Sequence, residues 1–150
     1  MSNSYTHILV ATDGSGCARA ASDEAAKLAS ALGSRLTLVY VFDPVKYALP
    51  EGYVPYTAEQ FVNMTEHFEA MLRREKARVE QAGPTVVETR LLQGTPTEEI
   101  NTFANETHVS LIVVGTHGRG GLARMLLGST AEHLVRTASV PVLTVRHPDD

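Results

Sequence analysis

Two segments of the sequence concentrate the residue types that hold an anionic ligand. One covers residues 11–15 (ATDGS) and the other residues 115–121 (GTHGRGG), which Gly128, Ser129 and Thr130 follow after a gap. The four glycines of the second segment leave backbone amides unshielded, so that the chain can wrap an anion. Free N–H groups at a helix start beside Gly128 and the hydroxyls of Ser129 and Thr130 favour a phosphate at the same place.

Charged side chains in these regions extend the chemistry to a whole nucleotide. Arg119 and Arg124 can supply positive charge to phosphates, although surface arginines are more often mobile than fixed. Asp13 can accept hydrogen bonds from ribose hydroxyls, as acidic residues do in dinucleotide-binding folds, and it can also cap a helix. His117 is either a solvent-facing loop residue or a contact for phosphate or metal. The chemistry predicts a nucleotide with its phosphates toward the glycine-rich segment and its sugar toward Asp13.

The elements that must position these residues alternate between strand and helix. Apolar runs predict strands, and amphipathic or alanine-rich stretches predict helices. Ser15 and Thr95 are the expected N-caps, and Gly33 is the expected stop of the first helix. The predicted strands are residues 8–11, 36–42, 86–92, 110–115 and 140–145, and the predicted helices are residues 15–31, 58–81, 97–106 and 129–138.

This alternation predicts one doubly wound α/β domain over residues 1–150, with a parallel sheet and helices on both faces. Ligands of such sheets bind outside the carboxyl ends of the strands. Both chemical segments directly follow predicted strands, so we expect them to meet at that edge. Residues 43–57 hold three tyrosines, Tyr47, Tyr53 and Tyr56, and are expected to form a long loop that is a candidate lid.

Composition excludes several classes of protein. Thirteen Lys and Arg against 17 Asp and Glu give a net charge of −4, which argues against broad binding to nucleic acid or anionic membranes. The hydrophobic fraction of 43% and the charged fraction of 20% are those of a globular chain. The single Cys17, expected to be inert, cannot form an internal disulfide. Because neither a signal peptide nor a run of about 20 apolar residues is recognised, we expect a cytoplasmic protein.

The glycine spacing resembles the nucleotide-binding signature of a known family. Gly115-x2-Gly118-x9-Gly128-Ser129 matches the signature of the universal stress proteins, and the segments ILVATDGS and VPVLTV resemble their first and last strands. The resemblance covers essentially the whole chain. It implies an adenine nucleotide alpha hydrolase-like three-layer sandwich, in which a five-stranded parallel sheet has the order 3-2-1-4-5.

The resemblance also implies ATP as the ligand, with Mg²⁺ or Mn²⁺ accompanying the phosphates. Asp13 would bind the ribose and Val41 would contact the adenine. Gly128, Ser129 and Thr130 would hold the phosphates. The full set of implied nucleotide-binding residues is Ala11, Thr12, Asp13, Val41, Val114, Gly115, Thr116, His117, Gly118, Arg119, Gly128, Ser129 and Thr130.

Members of this family commonly form dimers through their last strand, here residues 140–145, which would pair an otherwise open sheet edge. A homodimer, or a higher oligomer built on it, is therefore expected, with no nucleic-acid or membrane partner. The sequence departs from the commoner pattern at His117 and Arg119 in the loop, and at Ser110, where Asp often opens the fourth strand.

Three functions fit these observations. The first is a regulatory stress-response module that binds ATP. The second is a slow ATPase or a nucleotidyl- or phosphotransferase, although the sequence has no GxxxxGK[ST] loop and no GxSxG motif. The third is a scaffold whose ligand is not a nucleotide, with Gly115 and Gly118 serving only a tight turn. No HxH, HxxxH or HExxH pairing indicates a metal site built by the protein.

Overall fold

The computed structural model describes residues 3–44, 56–84, 87–117 and 127–147. Strands and helices alternate along this part of the chain. The five strands are β1 (His7–Ala11), β2 (Arg35–Phe42), β3 (Val87–Gln93), β4 (Leu111–Gly115) and β5 (Val142–Val145). The four helices are α1 (Gly16–Leu32), α2 (Ala58–Glu80), α3 (Pro96–Glu106) and α4 (Ser129–Thr137).

All five strands form one parallel sheet in the order β3-β2-β1-β4-β5, which confirms the predicted topology. Helices α1 and α2 cover one face, where the alanines of α1 pack on Val10 and Leu38. Helices α3 and α4 cover the other face, where Ile100 and Leu134 pack on Leu9. Because both faces are covered, the inner strands are apolar throughout, as expected of a parallel sheet.

The helix ends follow the local sequence. The Ser15 hydroxyl caps α1 by accepting a hydrogen bond from the Ala18 N–H, and Gly33 ends that helix in the left-handed conformation at φ 68°. At α2, Thr57 and Gln60 cap each other's backbone in a reciprocal capping box. The oxygens of these side chains accept hydrogen bonds from backbone N–H groups that would otherwise be free to bind a ligand or water.

Most predicted bounds lie within one residue of the observed ones, and two element starts involve a proline. At α3, Thr95 is the N-cap residue and Pro96 lies in the first turn, as predicted, but the helix begins at Pro96 rather than at Thr97 and the Thr95 side chain makes no capping hydrogen bond. Proline suits this position because its fixed φ fits the helix and its missing N–H would have had no partner within the helix. Strand β5 begins at Val142 rather than at residue 140. Pro141 contributes only its carbonyl to the neighbouring strand, accepting from the Ile112 N–H at 3.0 Å.

The amino-terminal end of the sheet is closed by polar contacts around His7. Its Nδ1 lies 3.2 Å from the Thr107 carbonyl, which can only accept, so Nδ1 carries the proton. Its Nε2 then accepts from the Thr37 hydroxyl at 2.8 Å. Ser110 donates to the His7 carbonyl and accepts from the His7 N–H, at 3.0 and 3.1 Å. The Ser110 side chain, just before β4, therefore hydrogen-bonds both the N–H and the carbonyl of His7 in β1.

Candidate functional site

The carboxyl ends of β1 and β4 bring together the described parts of the two predicted segments, residues 11–15 and 115–117. Ala11 and Val114 are partners in the register of these neighbouring strands. After β4, the Thr116 N–H donates to the Val145 carbonyl at 2.9 Å, and the Thr116 carbonyl accepts from the Gly128 N–H at 2.6 Å. Thr116 therefore fixes the start of α4 against the end of the sheet.

The turn after β1 holds Asp13 in a defined position. The Thr12 N–H continues the sheet by donating to the Val39 carbonyl at 2.8 Å. The Thr12 hydroxyl accepts from the Gly14 N–H at 3.3 Å, and Asp13 Oδ1 accepts from the Ser15 N–H at 2.9 Å. Gly14 has a φ of 79°, a conformation that glycine adopts without strain. The side chain that caps α1 is Ser15, so the alternative role of Asp13 as the helix cap is wrong.

The start of α4, like that of α3 and unlike those of α1 and α2, has no side-chain capping hydrogen bond within the described part of the chain. Its N-cap is Gly128. Ser129 is exposed and Thr130 is partly exposed at the first two positions of the helix. Backbone N–H groups and two hydroxyls therefore converge where the helix dipole favours negative charge. Glu132, in the same turn, is bound by Arg136 at 3.1 Å.

Gly115 has a packing role that the sequence did not reveal. A Cβ at this position would lie 2.8 Å from the backbone carbon and oxygen of Cys17. Gly115 therefore lets β4 approach α1 more closely than any side chain permits. Ala11, Val41 and Val114, in contrast, pack with the cluster on the α3/α4 face. The predicted site residues thus divide between the two faces of the sheet.

His147 was missed by sequence reasoning. Its imidazole lies over Gly16 at the start of α1, where an added Cβ would be 2.8 Å from its Cδ2. The register of β4 with β5 pairs Gly115 with Val145, so His117 and His147 each stand two residues beyond a paired position. A pattern search along the chain does not find this relation, because it depends on the register.

Several predicted residues lie outside the described part of the chain. These are Gly118, Arg119 and Arg124, together with Tyr47 and Tyr53 of the expected lid. Within the described ranges, no group of three or more His, Cys, Asp or Glu side chains could hold a metal ion. Likewise, none of the helices described is long and apolar enough to cross a membrane.

Fold and site together define a class: a doubly wound α/β domain with its candidate ligand edge beyond the carboxyl ends of β1 and β4. Within that class, the family model described as "Universal stress protein family" matches residues 4–146. The chain belongs to the universal stress protein family.

Relatives and solved structures agree with this assignment. The chain is 35% identical over 148 residues to a universal stress protein of Methanocaldococcus jannaschii, covering 97% of this chain and 85% of the relative. The structure of a universal stress protein from Lactobacillus plantarum has a TM-score of 0.77 at 28% identity, covering 95% of this chain and 98% of that one. A universal stress protein solved in complex with cAMP has a TM-score of 0.74 at 28% identity, with coverages of 97% and 99%.

Proposed function

We propose that this protein is an ATP-binding regulatory module of the stress response. The observation that carries the proposal is the start of α4, where Gly128 leaves the first turn without a side-chain cap and the Ser129 and Thr130 side chains are accessible. The complex of a related universal stress protein with cAMP supports a nucleotide as the class of ligand. Asp13, held by the Ser15 N–H, offers the acceptor that a ribose needs.

The nucleotide would lie along the carboxyl edge of the sheet. Its adenine would contact Val41 and its ribose would bind Asp13, near Ala11 and Thr12. The phosphates would lie at Gly128, Ser129 and Thr130, with Val114, Gly115, Thr116, His117, Gly118 and Arg119 completing the site. Chemical fit supports this direction, because partly exposed apolar side chains lie on β1 and β2 and hydrogen-bond donors lie at α4.

Mg²⁺ or Mn²⁺ would arrive with the nucleotide. The described residues offer no cluster of three metal-ligating side chains, so the phosphates would hold most of the ion's coordination sphere. The metal would neutralise phosphate charge, while the protein's part is to bind and orient the phosphates through the start of α4.

Binding, rather than turnover, is the proposed activity. Efficient phosphoryl transfer needs a positioned nucleophile, a metal and a charge clamp. The described residues supply an orienting helix start, and no observation favours an enzyme over a binding protein.

Self-association through β5 is part of the proposal. This edge strand carries the uncharged sequence VLTV, and all four of its residues are partly exposed. Pairing with a second copy would satisfy its outward N–H and C=O groups. A cytoplasmic location is also proposed, because the single cysteine, Cys17, cannot form an internal disulfide and is buried.

Thermal melting with and without Mg-ATP tests the proposal, with Mg-GTP as the control nucleotide. ATP at 100 times its dissociation constant should raise the free energy of unfolding by roughly 2.7 kcal/mol. For a chain of this size, that corresponds to a rise in Tm of about 2–4 °C for each kcal/mol. The protein must first be shown free of bound nucleotide. No rise with either nucleotide would refute ATP binding and leave the scaffold function in its place.

A further inference from the structure

A group of apolar side chains on the α3/α4 face is partly exposed at the carboxyl edge of the sheet. On the α3/α4 face, Leu9 and Val39 are fully buried, whereas Ala11 and Val41, each two residues further along, are partly exposed. On the opposite face, Phe42 remains buried to the end of β2, with 1% of its surface exposed. At the ends of β1 and β2, the described residues therefore leave apolar surface exposed on the α3/α4 face.

Leu92 extends this uncovered group to a third strand. It is the register partner of Val41, packs with the α3/α4-face cluster as Val41 does, and is partly exposed. Neighbouring strands lie about 4.8 Å apart, so the two side chains stand side by side. Leu92, Val41 and Ala11, which we call the apolar shelf, present contiguous apolar surface on adjacent strands β3, β2 and β1.

The shelf lies at a fixed distance from the proposed phosphate site. Three strand spacings separate β3 from β4 in the sheet, which is ~14 Å, and the end of β4 is tied through Thr116 to the start of α4. A ligand that spans this distance needs an apolar, flat end at the shelf and an anionic end at α4. A purine nucleotide has both.

We propose that Leu92 contacts the purine base and is a specificity-determining residue of the site. This inference rests on the proposed nucleotide function and adds a residue from a strand that carries none of the predicted contacts. Leu92 would flank the base on the side of Val41 that is away from the sugar. Its apolar side chain would favour a flat, extended ring over a smaller pyrimidine.

The adjacent residue of the same strand provides a matched control. Leu91 is also a partly exposed leucine, but its side chain packs on the α1/α2 face. There it lines a shallow groove beneath α2 with Glu69, Leu72, Arg73 and Thr89. Leu91→Ala and Leu92→Ala therefore remove the same atoms from the same strand, on opposite faces.

The test is the affinity of wild type, Leu92→Ala and Leu91→Ala for Mg-ATP and for AMP, measured by calorimetry. Leu92→Ala should weaken both nucleotides by about tenfold, the effect of losing a few methylene contacts. Leu91→Ala should change neither by more than about twofold. The ratio of ATP to AMP affinity should stay constant in Leu92→Ala, because the phosphate contacts are intact, and should fall in Ser129→Ala.

The outcomes separate this inference from the proposed function. Equal affinities in Leu91→Ala and Leu92→Ala, with wild type binding ATP, would overturn the role of Leu92 alone. Failure of wild type to bind either nucleotide would overturn both. Melting curves check that each variant is folded. If Leu92→Ala is not folded, Leu92→Gln replaces it, because glutamine keeps the side-chain length but not its apolar character. Leu92→Gln should show the same loss of nucleotide affinity. Nucleotide affinity equal to that of wild type would refute the proposal.

Discussion

At the amino-terminal end of the sheet, buried polar groups bind one another, whereas at the carboxyl-terminal end apolar side chains are partly exposed and helix α4 begins with no side-chain cap among the described residues. His7 joins Thr37 and Thr107, and Ser110 serves both backbone groups of His7. At the other end, the shelf of Ala11, Val41 and Leu92 is uncovered and α4 starts on a glycine.

This difference indicates that the amino-terminal end of the sheet stabilises the fold, whereas the carboxyl-terminal end is accessible to a ligand. Hydrogen bonds among buried groups stabilise a fold because breaking one leaves its partner unsatisfied. Accessible donors and apolar surface contribute little to the fold and are therefore available to a ligand. The variants below should separate the two ends, because each is expected to change either the free energy of unfolding or nucleotide affinity.

The largest effect is expected at Gly115, the position where the carboxyl end is closely packed. Gly115→Val should lower the free energy of unfolding by about 3 kcal/mol, because its Cβ would meet the Cys17 backbone at 2.8 Å. Urea denaturation measures the loss. Gly33→Ala is the control: a Cβ there meets nothing within 4 Å, and only the φ of 68° adds strain, so about 1 kcal/mol is expected. Equal losses would contradict the packing role of Gly115.

The second-largest loss of stability is expected from a substitution at the amino-terminal end of the sheet. His7→Leu leaves the Thr37 hydroxyl and the Thr107 carbonyl without the imidazole, and Thr37 is only 1% exposed. We expect the free energy of unfolding to fall by about 2 kcal/mol, measured by urea denaturation. The rise in Tm that saturating Mg-ATP causes should be the same as in wild type. A reduced rise would show that the two ends are coupled.

The pH dependence of stability should come partly from His7. Burial lowers the pKa of His7 below its ordinary value of 6.5, outweighing the hydrogen bond to the Thr107 carbonyl, which raises it; Arg35 lowers the pKa further and Glu88 raises it. The folded state keeps the imidazole neutral, while the unfolded chain takes up a proton below pH 6.5.

The stability that His7 contributes is therefore complete above pH 6.5 and decreases as the pH falls toward the folded-state pKa. The loss is at most about 1.4 kcal/mol for each pH unit. Urea denaturation of wild type and His7→Leu between pH 7.5 and 5.5 measures the difference between them. A difference that stays constant over this range would exclude His7 as the source.

The smallest effect on stability is expected at the start of α4. Ser129→Ala should change the free energy of unfolding by less than about 0.5 kcal/mol, because its hydroxyl caps nothing, yet it should weaken Mg-ATP binding about tenfold. Ser15→Ala at the start of α1 should instead cost about 1 kcal/mol of stability, since its hydroxyl accepts from the Ala18 N–H. Calorimetry and denaturation together separate the two serines.

Local patterns explain why so much of the fold could be predicted. The run ILVA at residues 8–11, the alanines of α1 and the cap at Ser15 each depend on residues close in the chain, and each is where the sequence places it. The start of β5 was predicted two residues too early, because Pro141 has no N–H and contributes only its carbonyl to the neighbouring strand. The order of the strands came from family resemblance, and the structure confirms it.

The sequence by itself determined the alternation of strands and helices, the family, and the two segments at the carboxyl edge, because hydrophobic period, glycine spacing and turn residues are local properties. Only the tertiary structure determined on which face of the sheet each residue lies. Gly115 faces α1, Leu92 stands beside Val41, and His147 lies over Gly16. These relations depend on strand register and on helix packing across the sheet, where residues far apart in the chain meet and a shift of one residue reverses the face.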